Sequence, residues 1–178
     1  MLQKRNDFAL VETLHKGPSH VRELANTLKF VPSTVLRMLL VLQQESVVDF
    51  KREGKNTTYF IKNTPEAKIY SLMTEHYKLL KLIQEPALKQ LTRELQAKTN
   101  GELVILFGSV AKGTATPSSD IDLYIETTDE TTKAAVRAIS SKISLKTGTF
   151  DTTTPLAKEI IKNHIIIQNT ERFYHLTT

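Results

Sequence analysis

Two short stretches hold the residue types that could do chemistry on a phosphate. The first is Leu106-Phe107-Gly108-Ser109-Val110-Ala111-Lys112-Gly113, an apolar run that breaks at Gly-Ser and reaches a second glycine. The second, Ser118-Ser119-Asp120-Ile121-Asp122-Leu123-Tyr124-Ile125, carries two aspartates one residue apart. Gly108 allows a sharp backbone turn, Ser109 offers a hydroxyl, and the peptide N–H groups that begin a following helix are natural phosphate donors. If Asp120 and Asp122 lie on a strand, its period of two puts both carboxylates on one face. Such a pair repels itself unless a cation sits between them or one is protonated. A hard divalent ion such as Mg²⁺, sharing its other sites with a triphosphate, resolves that repulsion. A lone Asp-x-Asp is more often a capped strand start. The weight here comes from the upstream strand, the Gly-Ser, the second glycine and the eleven-residue separation of Ser109 from Asp120.

The elements that must position these residues can be read from the flanking pattern. Leu103 to Phe107 is a short continuous apolar run bounded by turn signals, as for a buried central strand. Ile121 to Glu126 forms the second strand, and a helix from Ala87 to Lys98 precedes both, closed by Asn100-Gly101. A helix of roughly Glu130 to Lys142 and a strand from Ile143 to Phe150 follow. Thr127-Thr128, Thr131-Thr132 and Thr152 to Thr154 can start helices through their hydroxyls. His164 and His175 lie in apolar surroundings without the Asp/Glu/His spacing of a metal site.

Gly108-Ser109-Val-Ala-Lys-Gly113 followed by Ser119-Asp120-Ile-Asp122-Leu123 resembles the signature of the DNA polymerase beta superfamily, in particular its minimal nucleotidyltransferases. The similarity extends over residues 87–176, with Leu156 to Phe173 like the closing segment of several such proteins. The resemblance implies a small mixed sheet flanked by helices that binds a nucleoside triphosphate and Mg²⁺ and moves a nucleoside monophosphate onto an acceptor hydroxyl. By it, Gly108 and Ser109 contact phosphate while Asp120 and Asp122 are the catalytic, metal-holding acids. The family also carries a third carboxylate on the next strand, as general base or metal ligand. Ile143-Ser144-Leu145-Lys146-Thr147-Gly148-Thr149-Phe150 contains no acid; Asp151 lies just beyond it, and Glu126 shares the strand face of Asp122.

Upstream, Asp7 to Lys16 spaces Phe8, Leu10, Val11 and Leu14 along one helical face. Gly17-Pro18 ends it, and Ser19 can cap a second helix from His20 to Lys29. A third opens at Pro32, whose fixed φ and missing N–H suit the first helical position. Val35, Leu39 and Leu42 share its inner face; Ser33, Arg37 and Gln44 share the opposite one. Asp49 to Ile61 is then two β-prone runs joined by a charged turn with one glycine, a hairpin. Three helices and a basic hairpin make a winged helix-turn-helix.

Val31 to Leu42, then Val47-Val48 and Arg52 to Phe60, resemble the winged-helix repressors of the metal-responsive and antibiotic-resistance types, over roughly residues 6–62. The resemblance implies a third helix in the major groove of double-stranded DNA and a wing on the phosphate backbone. The residues point the same way. Ser33, Thr34 and Arg37 can meet base edges or phosphates, and Lys51, Arg52 and Lys55 are placed for phosphate contact. Leu36 and Val41 make this helix unusually apolar, suited in part to another protein surface.

The fold class is therefore α+β in three parts: a winged helix-turn-helix over residues 1–63, a helical connector over 64–86 and a nucleotidyltransferase-like mixed sheet with flanking helices over 87–178. In the connector, Ile69, Leu72, Met73, Leu79, Leu80 and Ile83 form a stripe that is core or interface, the latter either between two copies in a homodimer or between domains. Net charge is +5, and its basic excess is N-terminal: residues 1–62 carry ten Lys/Arg against six Asp/Glu, whereas residues 101–178 carry eight against nine. That distribution is compatible with a polyanion at the N-terminal part. No apolar run reaches membrane-span length and no signal peptide opens the chain, so the expectation is a soluble, cytoplasmic protein. Without cysteine there is no disulfide or thiolate metal site. Two functions follow: Mg²⁺-dependent nucleotidyl transfer by a DNA-binding protein, or transcription regulation in which the nucleotidyltransferase-like domain senses nucleotide without catalysis or binds a toxin-like partner.

Overall fold

The computed structural model describes residues 2–177, which divide into two compact units, one up to Tyr77 and one from Lys78. The architecture is α+β, with a small sheet in each unit.

In the N-terminal unit, α1 (Asn6–His15), α2 (Val21–Leu28) and α3 (Pro32–Gln44) pack around Leu10, Val11, Leu14, Leu24, Val35, Leu39 and Leu42. Pro32 stands at the start of α3, where its missing N–H removes no intrahelical bond. The wing is β2 (Val48–Glu53) paired antiparallel with β3 (Asn56–Ile61), Glu53 opposite Asn56. Its two-residue loop begins with Gly54 at φ 62°, the position where a type II′ hairpin takes glycine. These elements form a winged helix-turn-helix.

The start of α2 differs from the sequence expectation. Ser19 does not cap the helix: Ser19 and His20 form β1, paired with Tyr59 and Thr58 of β3, and Ser19 Oγ donates to Glu23 Oε2 at 2.7 Å. A third strand completes the wing sheet because two residues before a helix suffice to fill an open edge of β3.

The helix α4 (Pro65–Leu82) divides the apolar stripe read from its pattern. Its buried positions in this unit are Ala67, Ser71 and Thr74, while Ile69 is 58% exposed and Met73 43%. Ile69, Met73 and Leu80 of the stripe thus face outward, Leu79 packs on the core of the C-terminal unit, and the side of α4 buried in the N-terminal unit is small and partly polar. Ser71 and Thr74 are accommodated because their hydroxyls donate to Ala67 and Tyr70 carbonyls one turn back. Beside them, Asp7 accepts from Arg5 at 2.6 Å and from the Tyr70 hydroxyl at 2.8 Å. Burial pushes the Asp7 carboxyl up, but these partners outweigh it and hold it below the usual range. Burial, aided by Asp7, pushes the Tyr70 phenol up to about 12.

The C-terminal unit is a mixed four-stranded sheet in the order β6-β5-β4-β7. Its strands are β4 (Val104–Phe107), β5 (Ile121–Ile125), β6 (Ile143–Thr147) and β7 (Ile165–Gln168). Only β5 and β6 run parallel. Side-chain alternation gives the sheet two apolar faces. Val104, Leu106, Leu123, Ile125, Ile165 and Ile167 pack with α5 (Pro86–Lys98) and α7 (Glu130–Arg137). Ile105, Phe107, Tyr124 and Ile166 pack with α8 (Pro155–Lys162) and α9 (Thr170–Thr177).

Asp129 caps α7 by accepting from the backbone N–H groups of Thr131 and Thr132, and Thr154 caps α8. The former helix stops at Arg137, not at Lys142, and β6 ends at Thr147, before Gly148 at φ 134° takes the chain out of the ladder. No single helix among the described residues is long and apolar enough to cross a membrane.

The β5 end remote from the Asp pair is tied to α9 by Arg172, which donates to both Glu126 carboxylate oxygens at 3.0 and 3.1 Å. Arg172 is the main reason the Glu126 carboxyl lies below its ordinary value, so its ionisation stabilises the fold above the unfolded carboxylate range and that contribution is lost as pH falls through the folded value. Arg172→Ala is expected to lower Tm at pH 7, with the difference from wild type shrinking below about pH 4. Thermal melts at several pH values would show a constant difference if the pair were not responsible.

Candidate functional site

The site is built by strand register at one end of the C-terminal sheet. Because β4 and β5 are antiparallel with Phe107 opposite Asp122, the chain leaves β4 at Gly108 beside the start of β5. Gly108 has φ 68°, a left-handed value that any other residue adopts with strain. The Asp122 carboxylate packs against its Cα: an added Cβ would collide with Oδ2 and come within 2.9 Å of Cγ. Gly108 therefore both makes the turn and leaves space for an acid. From it springs α6 (Gly108–Lys112), which ends at Gly113 with φ 69°.

The segment from Gly113 to Asp120 is held by its own polar groups. Thr114 N–H donates to Ser109 O at 3.0 Å, and Thr116 N–H to Ser119 Oγ at 2.9 Å. The Lys142 ammonium donates to Pro117 O at 2.6 Å, and Ile121 N–H donates to Lys142 O, which begins the parallel ladder. Asp120 is thereby delivered exposed, with Asp122 half-buried two residues on. Tyr124 lies in the core on the α8/α9 face, so the same parity aims Asp122 to that face, and Asp120 immediately precedes the strand. Gly108, Ser109, Asp120 and Asp122 thus gather at one sheet end, as their spacing suggests.

The third-acid question is answered by the β5–β6 register. Asp122 is aligned with Ser144, and Leu123 with Leu145, both of which pack on the opposite face. Ser144 is therefore the β6 residue beside Asp122 on the same face, about 4.8 Å away by strand spacing. Asp151 lies seven residues further along, past the other end of β6, and its Oδ1 accepts from Thr153 N–H and Oγ1 at 2.9 and 2.7 Å. Glu126 is engaged by Arg172. Among the described residues no group of three His, Cys, Asp or Glu side chains is placed to hold a metal ion. Two carboxylates open to one side fit one hard cation that completes its shell from elsewhere. Ser144 and Lys142 were not singled out by sequence reasoning; the signal available was the offset from the start of the acid-free strand, usable only once its parallel register was known.

In the N-terminal unit, Ser33 and Arg37 are exposed on α3 and Thr34 is half-buried. Lys51, Arg52 and Lys55 are all exposed on the hairpin. Lys51 pairs with Glu53 at 2.8 Å, and the Arg52 guanidinium lies 5.6 Å from the Phe50 ring centroid. Leu36, Leu40 and Val41 are 41, 50 and 50% exposed on the same helix, so its outer surface is polar near Pro32 and apolar beyond. Arg37 also borders a cavity of about 250 Å³ lined by Asp7, Met38, Val41, Leu42 and Tyr70.

Residues 89–173, slightly less than half of the chain, match the family profile described as polymerase beta nucleotidyltransferase. That span contains the Gly-Ser turn, both aspartates and Ser144. No curated protein matches the chain. Among solved structures, a double mutant of ZitR from Lactococcus lactis is 18% identical, with 55% of this chain and 73% of that one covered at a TM-score of 0.37. The apo form of that mutant is 17% identical, covering 51% and 76% at a TM-score of 0.37.

Gly108 and Gly113 provide a matched pair of tests. Both have φ near 69°, so alanine strains either backbone by about 1–2 kcal/mol, but nothing lies within 4 Å of a Cβ at Gly113. Gly113→Ala is expected to lose only the cost of the backbone strain and Gly108→Ala that cost plus the displacement of Asp122, and Gly108→Ala alone to lose at least tenfold in Mg²⁺-dependent nucleotide affinity measured by calorimetry. Equal affinity in the two variants would show that the Gly108–Asp122 contact has no part in binding.

Proposed function

We propose that this chain is a DNA-binding regulator whose C-terminal domain binds a Mg²⁺–nucleoside triphosphate. The observation that carries the reading is the close fit of Asp122 against Gly108, which joins a phosphate-type turn to two open carboxylates inside the span that matches the nucleotidyltransferase profile. Asp120 and Asp122 would hold the ion, and the Gly108 turn with the Ser109 hydroxyl would receive phosphate. Bound Mg²⁺ supplies charge neutralisation for the triphosphate. The chain's own part is to orient the phosphates and leave both acids uncovered at one end of the sheet.

A second reading, transfer of a nucleoside monophosphate to an acceptor hydroxyl, is favoured by the family match. It requires a group to take the acceptor's proton, and Ser144 occupies the nearest place on β6.

For the N-terminal unit, double-stranded DNA is the partner that fits an α3 exposing Ser33 and Arg37 and a wing exposing three cations. Lys55 is the better phosphate ligand of the wing, since Lys51 already pairs with Glu53.

Two measurements test these halves. Asp120→Ala is expected to abolish Mg²⁺-dependent triphosphate binding while leaving DNA binding intact; unchanged nucleotide affinity would remove the site. In DNA titrations, Lys55→Ala should weaken all sequences alike and reduce the salt slope by about one, more than Lys51→Ala does, whereas Arg37→Ala should cost about 1–3 kcal/mol of sequence discrimination. Wild-type behaviour in all three variants would mean that the winged helix serves a protein surface instead.

A further inference from the structure

We infer that Ser144 makes the C-terminal site a one-metal site that holds its triphosphate intact. The inference rests on the proposal that the Gly108–Asp122 region takes a Mg²⁺–nucleotide, and it concerns what then happens to that nucleotide.

Transfer to a hydroxyl by two metal ions places the ions about 3.5–4 Å apart, one on the attacking and one on the leaving oxygens. Asp120 and Asp122 lie along one strand, and an ion between them is supplied with two carboxylates. A second ion must draw its ligands from the adjacent strand. The register leaves one position there at the level of Asp122, on the same face, and it is Ser144. A serine hydroxyl is neutral and a weak ligand for a hard divalent ion, and its proton is far too tightly held to act as a base near pH 7.

The surroundings strengthen this assignment. On the same face of that strand Ser144 is followed by Lys146, and just before the strand comes Lys142, whose ammonium reaches Pro117 O in the loop that delivers Asp120. The side chains that flank Ser144 in the sequence pattern of this face are therefore cations and not acids, so neither offers a second metal ion a carboxylate. Two ammonium groups oppose a second divalent ion and favour the triphosphate itself. Of the other acids on this unit's α8/α9 side, Glu126 is paired with Arg172, Asp151 accepts from Thr153 and Glu159 lies 3.6 Å from Lys112, while Glu171 stands in the first turn of α9, which begins at the sheet end remote from Asp122. The acids that remain fit one ion and do not fit two.

Ion counting on the full chain decides the matter. Mn²⁺ electron paramagnetic resonance titrations would be run with α,β-methylene analogues of ATP, GTP, CTP and UTP in turn. Wild type and Ser144→Ala should bind one Mn²⁺ per chain with the preferred analogue, and Ser144→Asp should bind two. With the corresponding natural triphosphate, wild type should release no pyrophosphate. Two ions in wild type, or pyrophosphate release, would overturn this inference while leaving the nucleotide site standing. A single ion in a folded Ser144→Asp would overturn the assignment of position 144. No Mn²⁺–nucleotide binding by wild type would overturn both this inference and the function proposed above. The wild-type count does not depend on whether any variant folds.

Discussion

The antiparallel pairing of β4 with β5 is the constraint on which the C-terminal unit depends. Once Phe107 stands opposite Asp122, the residue that follows β4 must lie against the Asp122 side chain. Only a residue without Cβ fits there, and the same residue must adopt a left-handed φ to start α6. A shift of register by one residue would turn Asp122 into the apolar face shared with α5 and α7 and would bring Leu123 to the site end. The core residues of the strands thus set the site as firmly as the acids do. Val104, Leu106, Leu123 and Ile125 lock one face, and Ile105, Phe107 and Tyr124 lock the other.

This dependence explains which parts were legible in the sequence. The Gly-Ser turn and Asp-x-Asp were readable because their roles are local: a backbone conformation that favours glycine and a strand period that aligns two acids. The hairpin from Val48 to Ile61 and the start of α3 at Pro32 were readable for the same reason. Interactions across the chain were not. Serine before an apolar run usually caps a helix, but pairing with Tyr59 on β3 claims Ser19 for a strand. In α4 the spacing of Ile69, Leu72 and Met73 was sound helical periodicity, yet periodicity gives a face and not its direction. Ala67, Ser71 and Thr74 take the buried positions of α4 in the N-terminal unit, and the larger Ile69 and Met73 are left outside.

Ser144 shows the same limit more sharply. A strand without an acid was visible in the sequence, but an absence has no position until strand register supplies one. The parallel alignment of Asp122 with Ser144 turns a missing feature into a named residue whose chemistry can be judged. The lysines on either side could likewise be read only as surface charge until Lys142 was seen to hold the loop before Asp120.

Four side chains alternate along one face of β5 and its continuation: Asp120, Asp122, Tyr124 and Glu126. Three acids in such a row would repel one another if treated alike, and the fold treats them differently. At the far end, Arg172 and the Phe150 N–H neutralise Glu126, while Tyr124 donates to Gly148 O and is pushed up to about 12 by burial, so that it stays neutral between the two ends. At the near end, no cation of the same kind is supplied to Asp120 and Asp122; Lys142 instead holds the Pro117 carbonyl. A structural salt bridge and an open acid pair thus flank one strand because the first is closed by α9 and the second lies where β4 ends and β5 and β6 begin. Two adjacent carboxylates without an ion pair are an unfavourable arrangement for stability alone, and here they lie beside the Gly-Ser turn, whose N–H groups and hydroxyl suit phosphate.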